Sequence, residues 1–325
     1  MTDVVVFPQS GYINRLQCMA SAAILAGALG AEWYVCWENQ PVAPAAPDDL
    51  FAESVLRDHF VTSEETRRRW GLVKAALPLY LTSDERTGRV VVAGHERGEQ
   101  SLMPGLRRIL ENGLPPVIAV VGGGKFFLSG DEALSTAQAA EFRELRRAQY
   151  ASLEFAPSVE DSARQASDAR GPFLGLHLRY SDRSLEAPWR RDIWPALERL
   201  RSQTGLADVF VASDSTREGA RWTRLLGQRG MLPWSVPAAT LDRSDPVSAL
   251  AALIDWRILT RSAAMVYFSA SSFAEEAAVA SGAFDLGIGL PPSRTRAAWV
   301  TAQQYGRSAV TYPTRHGWLR RPSAE

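Results

Sequence analysis

Short β-branched apolar runs alternate along the chain with longer stretches whose apolar residues recur at helical spacing. The first half reads as a strand over 4–7, a helix over 14–29, a strand over 32–37 and a helix over 48–59. The same rhythm predicts strands over 89–93 and 116–121, with helices around 102–111 and 132–153. A polar helix over 158–169 then leads to the breaker Gly171-Pro172. Beyond it a second series begins, with strand 173–178, helix 189–202, strand 209–212, helix 217–229 and strand 234–236. Helix 246–261, strand 265–269 and helix 273–280 complete it. This is the rhythm of βαβ units, and two doubly wound halves with a cleft between them form the economical α/β architecture. The boundary is expected within 155–172, giving one Rossmann-like unit over 1–160 and another over 161–325. Pro41 to Pro47 reads as an ordered loop beside the cleft, and the tail beyond Pro313 as frayed.

A length of 325 residues fits two domains at about 100 to 200 residues each. Lys and Arg together number 36, as do Asp and Glu, and the pI is near 6.9. No global charge therefore drives the chain toward nucleic acid or acidic membranes, and any anion site must be local. Of the 36 basic residues only Lys74 and Lys125 are lysines, a skew of genome composition or a preference for bidentate anion contacts. Cys18 and Cys36 sit among apolar residues without metal-ligand spacing, as reduced buried thiols of a cytoplasmic protein do. The N-terminus lacks the basic start and long apolar core of a signal peptide. The longest apolar stretch, 20–31, falls short of the roughly 20 residues of a membrane span, so no integral membrane segment is expected.

Ligands of open α/β sheets bind where strands end at their carboxyl edge. Three such ends carry chemistry. The first, Phe7 to Arg15, is a turn opening a helix, where free amides and the helix dipole suit an anion and Gly11 permits close approach. A plain strand-to-helix turn with Asn14 as cap is the alternative. In the second, alternation places His177 and Arg179 on one face at a strand end, with Asp182 just beyond. A carboxylate there locks the guanidinium and leaves its other donors for a phosphate, or the group is a structural ion pair beside a satisfied histidine. The third, Tyr267 to Glu276, is a strand, a hydroxyl-rich turn and a helix that begins with acidic residues. It makes a second anion cradle, or simply a capping box of Ser272 with Glu275.

Other patterns fail. Gly122-Gly123-Gly124-Lys125 lacks P-loop spacing and is followed by Phe126, so it reads as a loop. There is no G-x-S-x-G elbow, no H-E-x-x-H and no D-x-D pair to clamp a divalent cation. Trp222 and Trp256 lie in helices and read as packing residues.

Taken in order, Gly-x-x-Asn-Arg after the first strand, H-x-R-x-x-D opening the second half, Ala212-Ser213-Asp214-Ser215 at a strand end and a late S-S-F turn resemble the GDP-fucose-dependent fucosyltransferases. These include the α1,6 enzymes with the nodulation type, and the protein O-fucosyltransferases. The resemblance covers 4–38 and 173–282 and leaves the middle of the first half unmatched. It implies a GT-B fold, with 1–160 on the acceptor side and 161–325 binding the nucleotide sugar.

By that resemblance Arg179 binds the diphosphate, His177 lies against guanine or ribose, and Asp182 orients Arg179. Ser271, Ser272 and the amide of Phe273 bind phosphate, Asp214 stands beside them, and Gly11, Asn14 and Arg15 close over it from the other half. An aspartate 16 residues before the phosphate-binding serine reads guanine in the α1,6 enzymes, and Asp255 stands 16 before Ser271. Some relatives carry a glutamate five residues after the motif aspartate. Here Ala187 stands there and Glu186 one place earlier, leaving Glu186 and Glu38 as the bases to consider.

The chemistry follows from the residues: an acceptor hydroxyl attacks the anomeric carbon while charge grows on the departing diphosphate. Arg179 and two helix ends meet that charge without a metal cofactor. Inversion is the family expectation. The implied partners are a GDP-sugar and a small glycan, glycolipid precursor or natural product, in a cytoplasmic bacterial enzyme. A dTDP- or UDP-sugar donor on the same fold and a catalytically inert nucleotide- or glycan-binding protein are the other readings. A dehydrogenase is disfavoured because no G-x-G-x-x-G follows any predicted strand.

Overall fold

The computed structural model describes residues 2–77, 82–84, 89–93, 106–107, 110–111, 113–126, 134–180, 190–237, 241–242, 244–269 and 271–291, with the backbone alone at 82–84, 89–93 and 190. In chain order the elements are β1 (Asp3–Pro8), α1 (Tyr12–Leu29), β2 (Glu32–Val35), α2 (Pro47–Leu50), α3 (Glu53–His59), α4 (Ser63–Trp70), β3 (Thr82–Asp84), β4 (Arg89–Ala93) and β5 (Val117–Gly122). There follow α5 (Thr136–Ser152), α6 (Pro157–Asp168), β6 (Leu174–Leu178), α7 (Arg190–Thr204), β7 (Asp208–Ser213), α8 (Thr216–Gln228), β8 (Leu232–Trp234), α9 (Pro246–Leu259), β9 (Ala264–Phe268), α10 (Ser272–Ala280) and β10 (Ile288–Leu290). Residues 106–107 and 110–111 are also helical. Among the described residues no helix is long and apolar enough to cross a membrane.

These strands make two five-stranded sheets, ordered β2-β1-β5-β4-β3 and β10-β9-β6-β7-β8. All pairings are parallel except β3 with β4. The apolar runs are continuous because parallel strands are covered on both faces. Val4 and Val6 of β1 enter a core shared with Phe210 and Ala212 of β7 and Met265 of β9. Val5 and Phe7 point the other way, toward Trp70 and Leu72. On β6, Leu174, Leu176 and Leu178 pack toward the α7 side with Ile193 and Leu197. The helices between the sheets do the joining: α5 packs on both α1 and α10, and α9 packs on α6 and α10.

The expected helix over 48–59 is two helices. Phe51 and Ala52 are extended (φ −120° and −67°, ψ 154° at both) because Phe51 bridges Phe155 and the Ala52 amide donates to Glu154 O at 3.1 Å. Helical periodicity is overridden there by a tertiary crossing. Helix α4 and strands β3 and β10 lie outside the expected elements. The helix expected over 132–153 starts at Thr136, where Ser135 and Gln138 form a capping box. Parts of the expected helices over 102–111, 132–153 and 189–202, and the tail beyond Pro313, lie outside the described residues.

Two turns at the carboxyl edge of the first sheet are built against each other. Gln9 N donates to Gly122 O at 2.9 Å, extending the β1–β5 ladder. A Cβ at Gly123 would stand 2.4 Å from Gln9 O, so only glycine lets the two turns touch. Gly123→Ala is expected to lower stability by about 1 to 3 kcal/mol. Gly11→Ala, whose Cβ meets nothing within 4 Å, serves as its near-neutral control. Urea midpoints of the two variants check this.

Candidate functional site

The second sheet has a place where the chain order reverses, between β6 and β9, whereas in the first sheet β1 and β5 are neighbours whose strand order steps the same way on both sides. Loops diverge at such points and leave a crevice outside the carboxyl ends. In the second sheet, β6 ends in His177, Leu178 and Arg179, β7 ends in Ser213 and Asp214, and β9 runs into Ser269 and Ser271. His177 is 5% exposed and stacks on Phe273 with ring centroids 5.0 Å apart and planes at 24°. It lies on the inner face of β6, toward α10, and Arg179, half-buried, follows at the strand's end. Asp214 Oδ1 accepts from Tyr180 N at 2.7 Å, and Asp214 N donates to Leu178 O at 3.2 Å. Asp214 therefore fastens the segment carrying Arg179 to the end of β7.

Helix α10 opens at the same edge. Its cap is Ser271, not Ser272, and Glu275 turns away to Lys125, so the reciprocal Ser272–Glu275 box does not form. Ser271 is 2% exposed, makes no side-chain cap, and its Oγ has no hydrogen-bond partner among the described residues. Ser272 and Phe273 occupy the first two helical positions, where amides lack an intrahelical acceptor. A buried hydroxyl and free amides at the positive end of a helix form an anion cradle.

Asp255 stands ten residues into α9, about 14 Å along the axis from Pro246 at the carboxyl edge. Its carboxyl makes no hydrogen bond or ion pair among the described residues, and burial alone pushes it up to about 8. It belongs with the edge residues only through the packing of α9 on α10. Asp182 and Glu186 lie outside the described residues.

In the first sheet, Gly11 is the cap of α1, without a side-chain bond, and Asn14 is the third helical residue rather than the cap. Asn14 O accepts from Gly124 N at 3.0 Å. Ser10 has φ 66°, the one left-handed non-glycine residue among those described. Arg15, wholly buried, holds that turn: Nε donates to Ser10 O at 3.0 Å and Nη1 to Glu38 O at 2.8 Å. Its guanidinium lies 4.4 Å over the Trp37 ring, and burial pulls it down to about 10. The Glu38 carboxylate accepts a hydrogen bond from Lys74 Nζ. The 41–47 loop is ordered, with Ala45 N donating to Tyr12 Oη at 2.7 Å.

Between the two sheets lies a buried polar cluster. Glu276, with no exposed surface, accepts from Gln17 Nε2 (2.8 Å), Arg146 Nε (3.0 Å) and Tyr150 Oη (2.8 Å). Lys125 Nζ stands 3.6 Å from Glu276 and donates to Glu275 Oε1 at 2.6 Å. Burial opposes the Glu276 charge, but Arg146 and Lys125 with the two neutral donors outweigh it and hold the carboxyl below its usual range. Burial likewise lowers Lys125, and Glu276 with Glu275 more than restores it. Sequence reasoning missed this cluster because the groups that bond to Glu276 lie 126 to 259 positions from it. One local signal was present: a lysine after Gly-Gly-Gly at the end of an apolar strand, set aside because it is no P-loop.

The α/β fold with parallel sheets matches that of the GT-B fucosyltransferases. A point mutant of Arabidopsis thaliana FUT1 in complex with GDP aligns at TM-score 0.58 and 16% identity, over 86% of this chain and 68% of that one. POFUT1 in complex with GDP aligns at 0.51 and 12%, over 89% and 98% of the two chains. NodZ α-1,6-fucosyltransferase soaked with GDP-fucose aligns at 0.50 and 15%, over 85% and 91%. No family model matches the sequence, and comparison with curated proteins gives no match.

Glu276→Leu removes the buried carboxylate beside Arg146 and is expected to cost about 3 to 5 kcal/mol. Because the folded carboxyl titrates below the unfolded value of about 4.3, its contribution is complete above that value. It fades as pH falls through the lower, folded one. Urea midpoints measured across acidic pH should fall for the native chain, and less steeply for Glu276→Gln.

Proposed function

We propose that this chain is a glycosyltransferase that takes a sugar, fucose or a close relative, from a GDP-linked donor to a hydroxyl of a small glycan, glycolipid precursor or natural product. The observation that carries this is the convergence, at the reversal point of the second sheet, of Arg179, the His177–Phe273 stack and the Ser271–Phe273 cradle. A cation, a flat apolar surface and free amides at one sheet edge suit a nucleoside diphosphate. The fold shared with fucosyltransferases that bind GDP and GDP-fucose supports the same reading.

In this reading two units of GT-B type, over 1–160 and 161–325, face each other, and the second holds the donor. The acceptor oxygen attacks the anomeric carbon as the bond to the diphosphate oxygen breaks, in one inverting displacement. Arg179 and the cradle amides stabilise the charge arriving on the diphosphate, fixed in place before it develops, without a metal. Gly11 and Asn14 close the site from the first sheet, and Arg15 serves it by fixing the Ser10–Gly11 turn. Asp182 orients Arg179. Glu186 or Glu38 takes the acceptor proton, the latter ion-paired with Lys74. Asp255 reads guanine, whose N1–H and exocyclic amine offer two donors to one carboxylate, a pair that uracil and thymine lack.

Calorimetric titration in EDTA should show binding of GDP in preference to UDP and dTDP, weakened about 10- to 100-fold in Arg179→Ala. Preference for UDP or dTDP would overturn the donor, and no nucleotide binding would overturn the transferase reading. A second titration series tests Asp255. With the free carboxyl near 8, guanine must displace a proton, so GDP affinity should fall up to about tenfold per unit as pH drops below 8. Asp255→Asn should weaken binding and flatten that profile. A wild-type profile already flat would remove Asp255 from the base site.

A further inference from the structure

Both lysines of this arginine-dominated chain are paired with glutamates, and one pair sits beside the donor cradle. Glu275 lies in the first turn of α10, one turn below Ser271. Helical side chains lean toward the N-terminus, so without a partner its carboxylate would tilt toward the same amides that would receive a phosphate. The end of a helix presents about half an elementary charge, which an unpaired carboxylate on the first turn would cancel. Lys125 removes that competitor, with Nζ 2.6 Å from Glu275 Oε1 and the two side chains only 12% and 25% exposed.

Lys125 is held there from the first sheet. Gly123 on its N-terminal side is packed against Gln9 O, and Gly124 N donates to Asn14 O at 3.0 Å. On its C-terminal side Phe126 is buried and its amide donates to Ser21 Oγ at 3.0 Å. The backbone is therefore fixed before and after the lysine. Buried Glu276 keeps Arg146 as its own cation, so the ammonium is not its sole counter-charge.

We propose that Lys125 is a positioning residue of the donor site: by neutralising Glu275 it leaves the first turn of α10 electrostatically open to a diphosphate. This rests on the reading of Ser271 to Phe273 as a phosphate cradle, whose second support is the buried, unpartnered Ser271 Oγ. Lys125 acts through Glu275 and does not itself bind the donor. The turn that follows β5 of the first sheet thus tunes the anion site at the reversal point of the second.

The test is a double-substitution cycle on the full chain, titrated in EDTA with GDP and with inorganic diphosphate, each variant also being melted to verify folding. Lys125→Met should weaken binding of both probes about tenfold, and Glu275→Gln should tighten it about two- to threefold. The double variant should return to within about threefold of the native chain, and Lys125→Arg should stay close to it. Damage to packing would not be repaired by removing the other half of the ion pair. A double variant as weak as Lys125→Met overturns the proposal, as does Lys125→Met binding like the native chain. If Lys125→Met does not fold, Glu275→Gln decides: unchanged or weaker binding overturns it. A native chain that binds diphosphate, with the predicted pattern of variants, but prefers another nucleotide loses its GDP assignment and keeps this one. Binding of neither probe overturns both.

Discussion

The structure turns on a carboxylate with no access to water. Glu276 gathers Gln17 from α1, Arg146 and Tyr150 from α5 and the ammonium that follows β5. Each of these groups would be costly to bury alone, and together they are tolerable. The arrangement determines where α10 stands, and α10 carries the cradle at its first turn. Apolar contacts alone would hold the sheets together, since the inner core runs continuously from Val4 to Met265. They are non-directional, whereas hydrogen bonds to one carboxylate fix the rotation and depth of a helix.

The first sheet contributes shape more than charge. Its strand-end turn carries a serine in left-handed backbone, pinned by a wholly buried arginine whose two bonds reach backbone carbonyls at the ends of β1 and β2. Trp37 lies beneath that guanidinium, with Tyr12 at 6.2 Å and Phe51 edge-on at 5.8 Å. A strained turn survives only where its surroundings over-determine it, and here they do so through an aromatic bed and a fork of donors. Arginine fits because its planar fork reaches two carbonyls while its face rests on an indole.

Much of the α/β framework was legible because buried parallel strands write themselves as short apolar runs: β1, β5, β6, β7 and β9 all lie within a residue of their expected bounds. Elements defined by pairing rather than composition were not. β10 is three residues, and α2 and α3 are separated by a bridge to Phe155 that no local pattern announces. At the candidate site, the strand-end rule expected His177, Arg179 and Ser271 at one sheet edge, and the structure places their chain positions there, since a sheet's topology decides which ends converge. It said little about Arg15, whose sequence neighbours suggest an anion contact while its side chain points into protein. It was silent on Glu276, whose partners are decided by how helices from opposite ends of the chain pack.

That separation imposes an order on biosynthesis. Helix α5 is made as soon as the first sheet is complete, yet the carboxylate that Arg146 and Tyr150 bond to lies 130 and 126 residues further on. Gln17 waits longer still, since its acceptor lies 259 residues further on. Until α10 leaves the ribosome, Arg146 and Tyr150 lack the carboxylate they bond to, and the inner face of α5 rests on α1 without α10. The first half can acquire its sheet while its closing surface stays unfinished, and the last helix among the described residues supplies the anion that completes it.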